Sequence, residues 1–162
     1  MNSEEEELEV LEAVPALGGW VRGLLVFVAL GLMTVFGIAI WLRPYDEAGQ
    51  PLRMESHKQL GLPPCTFYEK VGYPCPSCGM TTSFSLLMHG DVVNSLRANA
   101  VGTLLALFWL GLIPWCLLSS LRGSPLWVMS VEVALTKVVI GFLILMLCRW
   151  AIVVVGIWMS RR

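Results

Sequence analysis

The sequence predicts an all-α membrane protein with three transmembrane helices, because of its composition and its three long apolar segments. Hydrophobic residues make up 56% of the 162 residues and charged residues only 14%, whereas soluble domains carry about 25% charged residues. A chain of this composition cannot cover a water-facing surface, so we expect the lipid bilayer to surround it. The formal net charge of −1 provides no basic surface, and we expect no nucleic-acid partner.

Three apolar segments are long enough to cross a bilayer. Residues 23–42 and 98–121 carry no charged side chain, and residues 138–160 carry only Arg149. At 1.5 Å per residue in a helix, each segment matches a hydrocarbon core of about 30 Å. Pro114 removes one backbone donor from the second span and is expected to bend it.

The chain is predicted to have one membrane domain, residues 21–162, preceded by an acidic flexible tail, residues 1–20. The tail contains the run Glu4–Glu7 and has no basic residue before Arg22. A cleavable signal peptide begins with a basic region. We therefore expect the first span to remain as an anchor.

The distribution of cations predicts the orientation. With the amino terminus outside, seven of the ten cations beside the spans fall in the cytoplasm, which the positive-inside rule favours. The protein is thus expected in the inner membrane, with the connection between its first two spans in the cytoplasm. The seven residues are Arg43, Arg53, Lys58, Lys70, Arg97, Arg161 and Arg162.

The connection, residues 43–97, is predicted to change character at Gly79. Prolines and glycines break every helical period through residue 74, so irregular chain is expected there. Beyond Gly79, apolar residues recur at i, i+4, i+7 and i+8, which predicts a short amphipathic helix, interfacial or re-entrant. These apolar residues are Met80, Phe84, Leu87 and Met88.

The end of this short helix is also marked in the sequence. Gly90 suits the position after a helix C-terminus, and Asp91 suits an N-cap. We therefore expect the next helix to begin near Val92 and to continue into the second span.

The segment Cys75-Pro76-Ser77-Cys78-Gly79, with Cys65 upstream, is the candidate site. Two cysteines three positions apart can direct both sulfurs to one point, where they share a metal ion or form a disulfide. Gly79 leaves the backbone free to fold around the sulfurs. A cluster that only packs is the remaining possibility, as expected for Cys116 and Cys148 within the spans.

A metal site would be Cys65, Cys75 and Cys78 in the pattern C-x9-C-x2-C, and zinc is the metal such thiolates favour. A closed tetrahedral site needs a fourth ligand. His57 lies in flexible chain and can reach the sulfurs. His89 would lie about 16 Å from Cys78 along a straight helix, which is too far.

A redox site is the alternative, because the cysteine pair directly precedes a helix whose amino-terminal amides favour the thiolate form. Cys65 would then act as a resolving partner. The sequence lacks the β-α-β pattern that surrounds such pairs in thioredoxin-like proteins.

The residues from Cys65 to Asn99 carry a family resemblance. The segment Gly72-Tyr73-Pro74-Cys75-Pro76-Ser77-Cys78-Gly79-Met80-Thr81, followed by Gly90-Asp91, resembles the signature of a bacterial family of small multi-pass membrane proteins, a domain of unknown function. That signature has Arg at the position of Thr82 and Asn-Pro at the position of Asn99-Ala100. The resemblance implies the architecture and no particular activity.

Arg149 is the one charge inside a span and is expected to need an acceptor, since a buried cation costs roughly 2.5–3.5 kcal/mol on insertion scales. Thr81, Thr82, Ser85, carbonyls freed by Pro114, or a loop dipping inward are the expected acceptors. Arg149 would then hold the cysteine segment as an intramembrane anchor. Otherwise the span is shifted, and Arg149 reaches an interface.

These features predict a non-enzymatic accessory or interaction subunit whose structural cysteine site holds a metal ion or a disulfide, and whose partners are the bilayer and another membrane protein. The alternative is a membrane thiol–disulfide oxidoreductase that uses the Cys75–Cys78 pair.

Overall fold

A computed structural model of the chain describes residues 16–124 and 131–160, of which residues 131 and 132 are described by their backbone alone. Within these residues the regular structure is helical, and the only β-type pairing is an isolated bridge between Tyr45 and Pro51. Most of the acidic tail lies outside the described residues. The helices are α1 (Gly19–Trp41), a 3₁₀ helix (Ser56–Leu60), α2 (Thr66–Val71), α3 (Met80–Met88), α4 (Val92–Arg122) and α5 (Val131–Ser160).

The described residues contain three helices long and apolar enough to cross a membrane, α1, α4 and α5. The predicted all-α class is therefore confirmed, and the protein is a membrane protein. The connection before α3 is less irregular than predicted, since it contains the 3₁₀ helix and α2. Both helices fit between the helix-breaking residues. Gly72, which follows the last residue of α2, has the left-handed conformation that ends a helix.

The predicted boundary between α3 and α4 is confirmed. Gly90 has a φ of +82° after the last turn of α3, and the Asp91 carboxylate accepts a hydrogen bond from the Asn94 amide at 3.1 Å. The Asn94 side chain donates to the same carboxylate at 2.8 Å. These hydrogen bonds from Asn94 lower the pKa of the Asp91 carboxyl. Asp91 is thus a working N-cap that starts α4 at Val92.

Helix α3 packs against both α1 and α4. Phe84 stacks on Phe36 of α1 with ring centroids 5.9 Å apart and meets Trp109 of α4 edge-on at 5.5 Å. Thr82 and Ser85 on the polar side of α3 are buried as well. Ser56 of the connection donates to Thr82 at 2.9 Å, and Ser85 donates to the Leu42 carbonyl at the end of α1 at 3.0 Å.

Helices α1 and α4 run antiparallel, with the ends remote from the connection tied together. The Leu17 amide donates to the Gly123 carbonyl at 2.7 Å. Arg22 Nε donates to the Ser120 carbonyl at 2.7 Å, and Ser120 Oγ donates to the Arg22 carbonyl at 3.2 Å. The whole connection therefore lies at the opposite end of the bundle.

The two remaining cysteines differ in their burial. Cys116 is buried between α1 and α4, as predicted. Cys148 is exposed on α5, contrary to the prediction, because α5 packs along little of its length within the described residues.

The interruption of α4 lies at Asn99, where φ is −157° and ψ is 100°. Pro114, the predicted bend, sits in a stretch that keeps helical dihedral angles. A proline costs a helix one donor, whereas an extended residue redirects the chain and releases carbonyls from their helical partners.

Candidate functional site

The connection brings Cys65, Cys75 and Cys78 together. The sulfur of Cys78 lies 3.0 Å from that of Cys75 and 3.4 Å from that of Cys65, and all three sulfurs lie within 4.8 Å of one another. No disulfide joins them. We refer to these three residues as the cysteine centre.

Local structure places each sulfur. Cys65 is the N-cap residue of α2. Cys75 and Cys78 bracket a tight turn in which the Cys78 amide donates to the Cys75 carbonyl at 3.1 Å. The Cys75 amide donates to the Cys78 sulfur at 3.2 Å. A backbone donor directed at a sulfur favours its thiolate form.

The thiols of Cys78 and Cys65 have pKa values shifted in opposite directions. Burial, with the neighbouring Cys75 and Cys65 thiols, raises the pKa of Cys78 to about 12. A backbone amide hydrogen bond from Tyr68 lowers the pKa of Cys65. Adjacent sulfurs oppose a second negative charge, so three thiolates at this point require a cation among them.

Gly79 allows the cysteine turn to pack closely against the backbone of α4 at its break. Its φ is +83°, and an added Cβ would lie 2.7 Å from the Ala98 carbonyl oxygen and 2.8 Å from that of Arg53. Residues that carry a side chain rarely adopt this φ, and no Cβ fits so close to two backbone oxygens. Gly79 is thus required both by its conformation and by the space around it.

Asn99 connects the cysteine turn to α4. Its side-chain amide donates to the Cys78 carbonyl at 3.1 Å, and its Oδ1 accepts from the Gly102 amide at 3.0 Å. Asn99 is fully buried. The sequence showed Asn99 only as part of the family resemblance and gave it no role, because its partner Cys78 is distant along the chain.

The third span also contacts this region. Arg149 Nη2 donates to the Ala98 carbonyl at 2.9 Å, and Trp150 Nε1 donates to the Pro74 carbonyl at 2.8 Å. The guanidinium is close enough to Cys75 and Cys78 for its charge to act on a thiolate at either position. Arg149 thus lies beside the cysteine centre at the loop-side end of α4.

The hydrogen-bond acceptor of Arg149 is a backbone carbonyl and not one of the side chains predicted from the sequence. Thr82 accepts hydrogen bonds from the amide and hydroxyl of Ser56, and Ser85 donates to Leu42. The break at Asn99, and not Pro114, lies next to the carbonyl that Arg149 reaches. The anchoring role of Arg149, Thr81 and Thr82 stays a prediction.

A cleft of about 240 Å³ opens beside the cysteine centre. His57 and Thr81 line the same cleft. His89 does not line it: its Nδ1 lies 2.8 Å from the Ser85 carbonyl oxygen and its ring meets Tyr45 edge-on. Its exclusion as a ligand therefore agrees with its position. The full lining is Met54, Glu55, His57, Cys65, Cys75, Ser77, Cys78, Gly79, Met80, Thr81 and Thr82.

Fold and site together define a membrane protein with three apolar helices and a cysteine centre on the connection between the first two. Residues 65–113 of the chain match the family described as "Protein of unknown function (DUF2752)", in agreement with the predicted resemblance to a domain of unknown function. The match includes the cysteine centre, α3 and the break in α4. No curated protein and no solved structure matches the chain.

Proposed function

We propose that this protein is a non-enzymatic accessory subunit of the membrane, in which the cysteine centre binds one zinc ion and fixes the connection to the helical bundle. The observation that carries the proposal is the convergence of three sulfurs within 4.8 Å of one another. Thiolates bound to zinc at 2.3 Å in a tetrahedron lie about 3.8 Å apart. The observed separations of 3.0 and 3.4 Å differ from that value by less than 1 Å.

A fixed structural role is favoured by the way the cysteine turn is held. Asn99 and Trp150 donate to the carbonyls of Cys78 and Pro74, which flank the pair, and Gly79 lies against backbone oxygens. Redox pairs exchange partners, so their sulfurs must separate and rejoin during each cycle. A turn tied to two spans instead suits an ion that joins separate parts of the chain.

The partners we propose are the bilayer and another membrane protein, not nucleic acid. Helix α5 supports this proposal, because its apolar residues are largely uncovered along its length. Ile152, for example, is 72% exposed. Lipid covers such a surface unless a second membrane helix replaces it.

Removing any one cysteine of the centre is expected to release the zinc and to lower the melting temperature in detergent. A structural site holds its ion through all its ligands at once, so Cys65→Ser, Cys75→Ser and Cys78→Ser should have similar effects and the triple variant little more. A loss of about 3 kcal/mol corresponds to roughly 6–12 °C for a chain of this size. Elemental analysis, a thiol count with and without chelator, and thermal unfolding provide the measurements.

Cys148→Ser is the matched control, because Cys148 is exposed on α5. It should keep the full zinc content. Purified protein without metal, whose thiols react equally with and without chelator, would contradict the zinc proposal. If two thiols react only after reduction, the centre contains a disulfide. If the three Cys→Ser variants lower the melting temperature slightly and independently, the cysteines only pack together.

We further propose that the protein lies in the inner membrane with the connection in the cytoplasm. In intact cells, a membrane-impermeant maleimide should therefore modify Ser124→Cys, at the remote end of the bundle, and leave Arg53→Cys unmodified. Arg53 is exposed, so burial in the protein cannot account for protection. Modification of Arg53→Cys together with protection of Ser124→Cys would reverse the orientation.

A membrane thiol–disulfide oxidoreductase is the second candidate, favoured by the contact between Cys75 and Cys78. The dithiol would transfer two electrons to a substrate disulfide, giving two substrate thiols and an S–S bond between Cys75 and Cys78. A pair of this kind equilibrates with glutathione at a measurable potential. A structural zinc site resists mild oxidants and thiol reagents until the metal is removed.

A further inference from the structure

His57 is the candidate for the fourth ligand that the cysteine centre lacks, because it lines the cleft beside the three sulfurs. The cysteine centre supplies three sulfurs, and zinc in structural sites is almost always four-coordinate. His57 is half-buried and lines the same cleft as Cys65, Cys75 and Cys78. Its ring lies outside the set of atoms that fall within 4.8 Å of one another, so it lines the cleft wall beside the sulfurs.

The contacts of the His57 ring leave one nitrogen for a metal. Nε2 lies 3.2 Å from the Pro63 carbonyl oxygen. A carbonyl can only accept, so Nε2 is the donor in this contact, and in the neutral imidazole Nδ1 then has its lone pair available for a metal. Histidines that bind metals usually donate their other ring N–H to a carbonyl or a carboxylate in this way.

The backbone that carries His57 is fixed to the same helix that follows the cysteine turn. Ser56, the neighbour of His57, donates its hydroxyl hydrogen to Thr82 Oγ1 of α3 at 2.9 Å, and its amide donates to the same oxygen at 3.3 Å. Ser56 and Thr82 are both fully buried. These contacts hold the 3₁₀ helix against α3, so His57 is kept at the cleft although it is distant from Cys75 and Cys78 along the chain.

We propose that His57 is the fourth ligand of a Cys₃His zinc site, binding through Nδ1 while Nε2 donates to Pro63. This inference rests on the proposed zinc-binding function and adds the coordination sphere. It joins three segments of the connection, the 3₁₀ helix, the start of α2 and the cysteine turn, through one ion. The site is closed, with no position left for a substrate.

The chain contains two histidines, which provides a matched pair of variants. X-ray absorption of the zinc-loaded wild-type protein in detergent should show three sulfurs at about 2.3 Å and one imidazole nitrogen at about 2.0–2.1 Å. His57→Ala should lose the imidazole signal, and His89→Ala should keep it. His57→Ala should also weaken zinc affinity in competition with a chelator by more than the roughly 10- to 100-fold that loss of an outer partner costs.

The outcomes separate this inference from the proposed function. Wild-type zinc with three sulfurs and only oxygen as fourth ligand, or an imidazole signal that persists in His57→Ala, would overturn the role of His57 and leave the zinc site intact. Absence of metal from the wild type would overturn both. His57→Gln provides a second variant of similar size. If added imidazole restores the zinc affinity of His57→Ala, it occupies the position that the His57 side chain has left, which would support His57 as the fourth ligand.

Discussion

Gly79→Ala is expected to abolish the cysteine centre, with loss of zinc binding and a large fall in melting temperature. The left-handed backbone at Gly79 costs a side chain roughly 1–2 kcal/mol. The new methyl group would also lie 2.7 and 2.8 Å from the carbonyl oxygens of Ala98 and Arg53, and neither backbone can move without displacing α4 or the connection. Thermal unfolding in detergent and zinc content measure the effect.

Gly72→Ala is the matched control for this substitution. Gly72 has a φ of +73°, close to that of Gly79, but a Cβ there would meet nothing within 4 Å. It should cost only the conformational penalty, roughly 2–8 °C in melting temperature, and should retain zinc. Equal, small effects of both substitutions would contradict the close packing of the cysteine turn against α4.

Features set by neighbouring residues were predictable from the sequence. The three apolar spans follow from the lack of charge over lengths that match the bilayer. Gly90 and Asp91 marked the end of α3 and the start of α4 because a helix terminus is determined by its own backbone and the next few residues. The convergence of Cys75 and Cys78 follows from their spacing in a turn.

Features that depend on distant residues were not predictable in the same way. Thr82 was one of several acceptors proposed for Arg149, and the sequence did not show that the connection folds back so that Ser56 donates to Thr82. The sequence predicted a bend at Pro114, the residue with a known local effect, and gave no sign of the break at Asn99. The Asn99 side chain bonds to both Cys78 and Gly102, and no local pattern distinguishes such an asparagine from any other.

The break at Asn99 explains why Arg149 has an acceptor. In a regular helix the Gly102 amide faces the Ala98 carbonyl. Here that amide donates to Asn99 Oδ1, and the Ala98 carbonyl accepts from Arg149 instead. The same carbonyl oxygen limits the space at Gly79. Arg149, Asn99 and the cysteine turn thus meet at a single point of α4.

A zinc ion in the cysteine centre would give Arg149 a second role, because the site would carry a charge that needs compensation. Three thiolates and a neutral imidazole around Zn²⁺ leave a net charge of −1, and a charge beside the apolar spans needs compensation. Arg149 is close enough to Cys75 and Cys78 to act on thiolates there, and it is the only charged residue of residues 138–160. It therefore suits the role of counter-ion to the bound centre.

Arg149→Leu is therefore expected to destabilise the protein and weaken zinc binding, although it makes the third span more apolar. Insertion scales favour leucine over arginine by roughly 3 kcal/mol. The folded protein, however, would lose the hydrogen-bond donor to the carbonyl of the buried residue Ala98, at about 1–3 kcal/mol, and the cation beside the thiolates. We expect a lower melting temperature and a zinc affinity reduced about tenfold or more, measured by chelator competition.

Arg149→Lys separates the two contributions. It keeps the charge but loses the planar, directed donor, so zinc affinity should fall less than in Arg149→Leu. An arginine that only reached toward an interface would tolerate both changes, because a snorkelling side chain has no specific acceptor. A stable Arg149→Leu protein with wild-type zinc affinity would thus exclude the anchor, and the cysteine centre would then be held to the bundle by Asn99 and Trp150 alone.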